Sequence, residues 1–304
     1  GASASRGGAA TIMGDKNLKA IAVRGTKDIP VANPARLIEL GEHMLSRTDA
    51  VRTNIFERTG YTQVQYLLRW GDYGYFSGVT TPELQQEIID IGDRVQDFVA
   101  RERTREVACY NCGIRCKHAY LNPEGGQTFI KCGWEFAPFA TQIVDPDFII
   151  KYTYLCEKYG LDVVTTGNCI AMAIDLYQKG ILTKKDTDGL HLEWKNAEVA
   201  FSLIEKMARR EGIGDILANS TYRAAHQIGK GAENHVIHIK KLDTFMFRGF
   251  HRPHMCLMET VNDKPCQSKL NNTIYSGISP ISRKEKEAWI KDGWFPYPKE
   301  FEKY

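Results

Sequence analysis

The chain has 304 residues, of which 43% are hydrophobic and 25% are charged, and its formal net charge is +3. This length suffices for one large domain or two moderate ones, and the small, dispersed charge excludes a nucleic-acid surface built on a basic tract. No apolar run reaches the length of a membrane span, and no secretory signal is visible. Because the eight cysteines fit a reducing compartment, we expect a cytoplasmic protein.

The first 50 residues predict a loop, a strand and a helix. The glycine-rich opening "SRGGAATIMG" (5–14) predicts a loop, and the alternating apolar residues of "LKAIAVRG" (18–25) predict a strand. Helical spacing follows over 33–47, where Asn33 is placed to cap the helix and Pro34 to occupy its first turn.

The rest of the chain is mainly helical by pattern. Segments with the apolar spacing of a helix are 81–102, 146–160, 165–180, 196–212 and 213–229. Thr165 is placed to cap the third of these helices, and glycines to end the last three. Residues 122–126 predict a turn from which 127–136 returns as a strand, and 235–241 predicts another short strand. The predicted fold class is mainly α with minor β (α+β).

Three cysteines lie within the eight residues "CYNCGIRC", at Cys109, Cys112 and Cys116. Three thiols this close cannot all pair as disulfides, and a chain of this size does not depend on a stapled core. The C-x2-C-x3-C spacing lets three thiolates converge on one soft metal centre. A cubane iron–sulfur cluster with a distant fourth cysteine fits this spacing. Zinc fits too, with His118 or another cysteine as the fourth ligand.

Cys156 and Cys169 lie among apolar residues of predicted helices. A free cysteine in such a position behaves as a small hydrophobic side chain. We therefore predict that both belong to the core.

Four stretches of the chain carry recognisable motifs. They are "SRGGAATIMGDKNLKAIAVRGT" (5–26), "CYNCGIRC" (109–116), "LCEKYGLDVVTTGNCIAMAIDLYQKGIL" (155–182) and "REGIGDILANSTYRAAHQIGKGAE" (210–233). In this order they resemble the aldehyde:ferredoxin oxidoreductase family of tungsten enzymes. "FIKCGWEF" and "GIGDILANSTY" are most similar to its benzoyl-CoA reductase branch, in the tungsten-dependent catalytic subunit. The resemblance implies helical domains around a pterin and cluster site.

The resemblance also implies a set of metals and their ligands. The expected cofactors are a tungsten or molybdenum bis-pyranopterin, a [4Fe-4S] cluster and a magnesium ion that bridges the pterin phosphates. Cys109, Cys112 and Cys116 are then cluster ligands. Cys132 stands where the benzoyl-CoA reductase subunit has a cysteine that ligates tungsten, and thiolate suits such a metal. Considered alone, a cysteine at a strand end is more often a small buried hydrophobe.

Two further segments are implied to contact the pterin cofactor. In the opening loop, Arg6 and the backbone of Gly7 and Gly8 offer donors to its phosphates.

The segment "EKYGLD" resembles a D-x-x-G-L-D pterin-binding motif of the family, with Glu157 in place of the usual aspartate. A carboxylate there can accept hydrogen bonds from pterin N–H groups, and Gly160 allows close approach of the backbone. Leu161 and Asp162 complete the motif. The alternative is that Glu157 is a surface residue, Gly160 stops a helix and Asp162 caps the next one.

Family members begin with a further domain and continue past the matched motifs, so we expect this chain to be a central or C-terminal fragment. Residues 1–30 are then a pterin-contacting loop and strand that end a missing N-terminal domain. Residues 31–160 form a helical domain with the cysteine loop, and 161–304 an incomplete helical domain. The fourth cluster cysteine is expected beyond the matched region.

The resemblance predicts low-potential reduction of an aromatic or cyclic acyl-CoA, with electrons from a ferredoxin or a small ferredoxin-like subunit and an oligomeric assembly. The segment before the cysteine loop has no histidine, so Asp72 and Tyr73 are the candidate proton donors. One alternative is an aldehyde oxidoreductase that forms carboxylic acids, with Glu135 as general base. A second is a non-catalytic helical protein stabilised by zinc.

Overall fold

The computed structural model describes residues 9–51, 102, 104–108, 117–131, 140–143, 145–236 and 238–243. Predictions for the cysteine loop, for most of 52–103 and for everything after residue 243 lie outside these residues. The predicted domain boundaries at residues 30 and 160 stay predictions.

Helices predominate in the described part of the chain. They are α1 (Ala9–Asp15), α2 (Pro34–Val51), α3 (Pro146–Tyr159), α4 (Val163–Gln178), α5 (Ala197–Arg209), α6 (Ile213–Leu217), α7 (Ser220–Ile228) and a 3₁₀ turn (Ala232–His235). The strands are β1 (Arg105–Val107), β2 (Lys117–Leu121), β3 (Gln127–Lys131), β4 (His238–Ile239) and β5 (Leu242–Asp243). The predicted α+β class with minor β is confirmed. In the stretches that the structure covers, no helix has both the length and the apolar character needed to cross a bilayer.

Helix α4 is the centre of the described core. Twelve of its 16 residues are buried, and Ile170, Met172 and Leu176 have no exposed surface. A helix that is apolar on every side has to be surrounded by other elements. Helices α3, α5, α6 and α7 all pack against α4, so its burial determines where they lie.

Two glycines of the "GIGD" segment allow close approaches, Gly214 to α5 and Gly212 to Asp188. A Cβ atom on Gly214 would overlap the backbone of Lys206 in α5. Gly212 has a φ of +54°, and a Cβ atom there would overlap the carboxylate of Asp188. That carboxylate accepts hydrogen bonds from the backbone N–H of Ile213 and from the Lys206 ammonium, each at 3.0 Å. Gly214 therefore serves the packing of α6 on α5, and Gly212 makes room for the Asp188 carboxylate at the start of α6.

Strands β1, β2 and β3 form an antiparallel sheet in that order. The turn between β2 and β3 is the predicted turn at 122–126, where the Asn122 side chain accepts hydrogen bonds from the backbone N–H groups of Glu124 and Gly126. Strand β3 packs against α3. The β2–β3 pair is called the hairpin below.

A charged contact joins the hairpin turn to the end of α3. The Lys158 ammonium lies 2.6 Å from Glu124 Oε1, and the Tyr154 hydroxyl also bonds that carboxylate. The hydrogen bond from Lys158, followed by the one from Tyr154, lowers the pKa of Glu124. Both charged side chains are more than 40% exposed, so the contact orients the turn and adds little stability.

The prediction of a strand over 18–25 is wrong. These residues form no strand, and Ile21 and Val23 are 69% and 89% exposed. A strand requires a hydrogen-bonded neighbour, and the described sheets contain only β1–β3 and β4–β5. The loop predicted over 5–14 is wrong in its second half, because α1 begins at Ala9. The helix predicted over 33–47 is confirmed, including the bond from Arg36 N–H to Asn33 Oδ1.

Three other helix and strand predictions need correction. Helix α4 begins at Val163 with Asp162, not Thr165, as its cap. The helix predicted over 213–229 divides into α6 and α7, since the Asn219 side chain bonds the carbonyl of Asp215 and interrupts the helix there. In place of the single strand predicted over 235–241, the structure has two short strands, β4 and β5, which pair antiparallel.

Helix α5 ends before the predicted glycine, at Arg210, which adopts a left-handed conformation with φ of 55°. Helix α3 matches its prediction, with Asp145 as N-cap and Gly160 as C-cap.

Replacing Gly214 with alanine should destabilise the protein by about 1–3 kcal/mol, because the new methyl group overpacks the contact between α6 and α5. Gly41→Ala is the matched control, since Gly41 is also helical and a Cβ atom there meets nothing within 4 Å. It should be neutral or stabilise by up to about 1 kcal/mol. Chemical denaturation of both variants measures the difference, and equal effects would contradict the packing role of Gly214.

The pKa of Glu124 should lie below its ordinary value of 4.5 when measured by NMR titration. A carboxylate with a lowered native pKa stabilises the fold above its unfolded pKa, and this contribution is lost as the pH falls through the native pKa. Lys158→Met should move the Glu124 pKa back toward 4.5, whereas Lys184→Met, at a lysine with no contact to this turn, should not. An unchanged Glu124 pKa in Lys158→Met would show that the contact is absent in solution.

Candidate metal and cofactor site

Three strand ends lie side by side at one end of the β1–β3 sheet. Val107, the last residue of β1, is the cross-strand partner of Lys117, the first residue of β2. Lys117 is in turn the partner of Lys131, the last residue of β3. Neighbouring strands are about 4.8 Å apart, so this row of three residues spans about 10 Å. We call it the strand-end row.

All four candidate metal ligands lie close in sequence to the residues of the strand-end row. Cys109, Cys112, Cys116 and Cys132 themselves lie outside the described residues. In sequence, Cys109 follows Val107 by two positions, Cys116 directly precedes Lys117, and Cys132 directly follows Lys131. The described strands therefore anchor both ends of the cysteine loop, and the start of the segment with Cys132, at one place.

The "EKYGLD" segment is the junction between α3 and α4. Gly160 has a φ of 72° and ends α3, with its N–H directed at the carbonyls of Cys156 and Glu157. Leu161 N–H donates to the Cys156 carbonyl at 2.8 Å. Asp162 then caps α4, its Oδ1 accepting the Thr165 N–H at 2.8 Å. The alternative in which Gly160 and Asp162 act as helix stop and cap is confirmed.

This junction also leaves room for a ligand. Gly160 is exposed, and no atom lies within 4 Å of the position where its Cβ would be. Glu157, one turn earlier on α3, is partly buried. Capping uses Asp162 Oδ1. The open space at Gly160 is compatible with close approach of a ligand, and the binding role of these residues stays a prediction.

The interior beneath the junction contains buried thiols. Cys156 and Cys169 are 0% and 1% exposed and belong to the main core. Burial raises the pKa of both thiols, and it raises the pKa of Tyr152, whose hydroxyl donates to the Val163 carbonyl at 2.6 Å. Protonated buried thiols are poor metal ligands. The prediction that both cysteines are core residues is confirmed.

The strand-end row and the α3–α4 junction lie toward opposite ends of the hairpin. Lys158, two residues before Gly160, contacts Glu124 in the hairpin turn. The strand-end row is four residues away along β3, or about 13 Å at 3.3 Å per residue. A single compact metal would not contact both regions.

His118, considered as a zinc ligand, lies on the buried face of β2 with 3% exposure and contacts Tyr120 edge to face. The contact of Glu124 with Lys158 and Tyr154 was not predicted, because it joins residues 30 or more positions apart. The remaining predicted site residues, Arg6, Gly7, Gly8, Asp72, Tyr73 and Glu135, lie outside the described part of the chain.

Comparison with known proteins gives consistent matches. The profile of the family described as "Aldehyde ferredoxin oxidoreductase, domains 2 & 3" matches residues 73–293. The tungsten-containing aldehyde ferredoxin oxidoreductase of Pyrococcus furiosus is 31% identical over 244 residues, which are 74% of this chain and 38% of that protein. The aliphatic sulfonate oxidoreductase, WOR-like subunit, of the same organism is 31% identical over 256 residues, covering 78% of this chain and 39% of that protein.

Among solved structures, the active-site complex BamBC of benzoyl coenzyme A reductase, in complex with 1,5-dienoyl-CoA, contains a similar chain. Its TM-score is 0.69 at 28% identity, and the match covers 97% of this chain and 46% of that one. This chain spans less than two fifths of the length of the two curated relatives. Because the family profile covers more than half of its residues, the chain belongs to the aldehyde ferredoxin oxidoreductase family.

Proposed function

We propose that this chain is part of a tungsten or molybdenum bis-pyranopterin oxidoreductase that reduces an aromatic or cyclic acyl-CoA at low potential. The observation that carries the proposal is the strand-end row, to which all four candidate cysteines are attached. The similarity to a chain of the benzoyl coenzyme A reductase complex supports the substrate class. Electrons would reach the chain from a ferredoxin or a small ferredoxin-like subunit in an oligomer, in the cytoplasm.

The register of the hairpin supports a shared metal region. If β2 and β3 continue by one residue in the same register, Cys116 and Cys132 are direct cross-strand partners. Such partners have Cβ atoms about 4.5–5.5 Å apart. Side chains alternate along a strand, so both would lie on the face of the sheet that carries His118 and Ile130. A cluster ligand and a tungsten ligand would then be neighbours.

The proposal assigns the four cysteines to two metal centres. Thiolates of Cys109, Cys112 and Cys116 hold the [4Fe-4S] cluster, with a fourth ligand from outside the matched region, and Cys132 ligates the tungsten or molybdenum. When bound, these centres supply one-electron transfer at low potential.

The pterin is held by the two segments that offer complementary groups. Glu157 and Asp162 would accept hydrogen bonds from its N–H groups, Gly160 and Leu161 would allow close backbone approach, and the opening loop with Arg6, Gly7 and Gly8 would bind its phosphates with a magnesium ion. Asp72 and Tyr73 are the candidates to hold and transfer protons to the substrate.

A second candidate function is aldehyde oxidation to carboxylic acids, with Glu135 as general base. The 31% identity to the aldehyde ferredoxin oxidoreductase of Pyrococcus furiosus favours it. Assays of the intact complex with a viologen dye separate the two candidates. Activity with aromatic or alicyclic CoA thioesters is expected, and rapid aldehyde oxidation without any response to CoA thioesters would favour the second function. A colourless protein that contains only zinc would support the non-catalytic alternative.

Replacing Cys109, Cys112 or Cys116 with serine should remove iron and bleach the absorbance of the cluster, because a cubane needs its thiolate ligands. Cys169→Ser is the matched control, since Cys169 is a buried core thiol, and it should retain iron. Iron content and the visible spectrum measure the effect in the intact protein. Full iron content in all three loop variants would end the cluster assignment.

Two substitutions of Asp162 separate capping from cofactor binding. Asp162→Ala removes the cap of α4 and should lower stability by about 1 kcal/mol, whereas Asp162→Asn keeps a good capping side chain and should leave stability nearly unchanged. If Asp162 also accepts hydrogen bonds from the pterin, Asp162→Asn should still lower pterin retention. Normal pterin content in Asp162→Asn would show that Asp162 is only a cap.

A further inference from the structure

Two buried hydroxyl groups lack a hydrogen-bond partner in the part of the chain that the structure describes. Thr128 on β3 is 0% exposed and Thr153 on α3 is 4% exposed, and neither Oγ1 atom is bonded. Buried side-chain polar atoms nearly always have a partner, either a protein group or an ordered water. A helical threonine often bonds the carbonyl four residues earlier, but Thr153 does not.

Both hydroxyls belong to the two elements that form one packed layer. Strand β3 packs against α3. Thr128 shares the buried face of β3 with Ile130. Thr153 follows Ile149 by four positions and Ile150 by three, so these three buried residues share one side of α3.

This layer includes buried residues that do not belong to the main core around α4. The main core takes Phe148, Tyr152, Leu155 and Cys156 from α3. It does not include Ile149, Ile150 or, from the hairpin, Ile130. Ile149 and Ile150 therefore extend the buried surface of α3 beyond the residues that form the main core.

The hairpin contributes further polar side chains to its buried face. Tyr120 is the cross-strand partner of Thr128 and is 1% exposed, and His118 lies two residues along β2 on the same face with 3% exposure. An apolar layer between a sheet and a helix would not need a phenol, an imidazole and two threonine hydroxyls. A site lined by several polar groups is one that retains buried water, whereas an apolar cavity stays dry.

We propose that ordered water occupies the layer between the hairpin and α3 and is hydrogen-bonded by the hydroxyls of Thr128 and Thr153. The water satisfies the two hydroxyls that no described protein group satisfies. This proposal does not rest on the proposed function.

The sign of a stability change tests the proposal, because valine has the shape of threonine without its hydroxyl. If water binds Thr128 and Thr153, Thr128→Val and Thr153→Val remove a hydrogen bond and should each lower the thermal midpoint by about 2–4 °C. If the hydroxyls are dry, the same substitutions remove an unsatisfied group and should raise the midpoint or leave it unchanged. That second result would overturn the proposal.

Thr187→Val is the matched control. Thr187 is also fully buried, and its hydroxyl donates to the Leu190 carbonyl at 2.6 Å. Its replacement by valine should lower the midpoint in either case, so the two test variants should change in the same direction as the control.

A crystal structure of the unaltered chain provides a second measurement that does not depend on how the variants fold. A water within hydrogen-bonding distance of Thr128 Oγ1 or Thr153 Oγ1 would support the proposal. The absence of ordered water at both hydroxyls would overturn it.

Discussion

Helix α3 lies between two packed layers, and the arrangement of the candidate site depends on this. One side of α3 contributes Tyr152 and Cys156 to the core around α4. The helix also packs against β3, and Lys158 near its end contacts the hairpin turn. The same helix ends at Gly160, where the predicted pterin-binding motif begins. The strand-end row and the α3–α4 junction are therefore held by one element, about one hairpin length apart.

The two candidate regions differ in how far the local structure accounts for the residues of their motifs. At the α3–α4 junction, Gly160 and Asp162 have complete roles as helix stop and cap. A binding role there would be additional to the structural one. At the strand-end row, the register brings three chain segments together, and the spacing of the cysteines that adjoin them in sequence is typical of a metal site. The cysteine pattern is therefore the more informative sign of function.

Local sequence patterns predicted the turn at 122–126 and the helices that have clear capping residues. Asn33, the turn at 122–126 and Gly160 were predicted because each makes its hydrogen bonds within a few residues. The predicted strand at 18–25 was wrong because alternation of apolar residues does not provide a partner strand. Strands β1 and β2 were not predicted, since their pairing depends on residues far along the chain. The close approach of Gly214 to Lys206 likewise follows from tertiary packing.

The central claim is that the sheet brings Cys116 and Cys132 together. The most direct measurement is mass-spectrometric mapping of thiol cross-links in the iron-free intact protein, made with a reagent that spans only neighbouring side chains. We predict a cross-link between Cys116 and Cys132, because they adjoin Lys117 and Lys131 in sequence and these two lysines are cross-strand partners. Cross-links confined to Cys109, Cys112 and Cys116, with Cys132 recovered as an unmodified thiol, would contradict the claim.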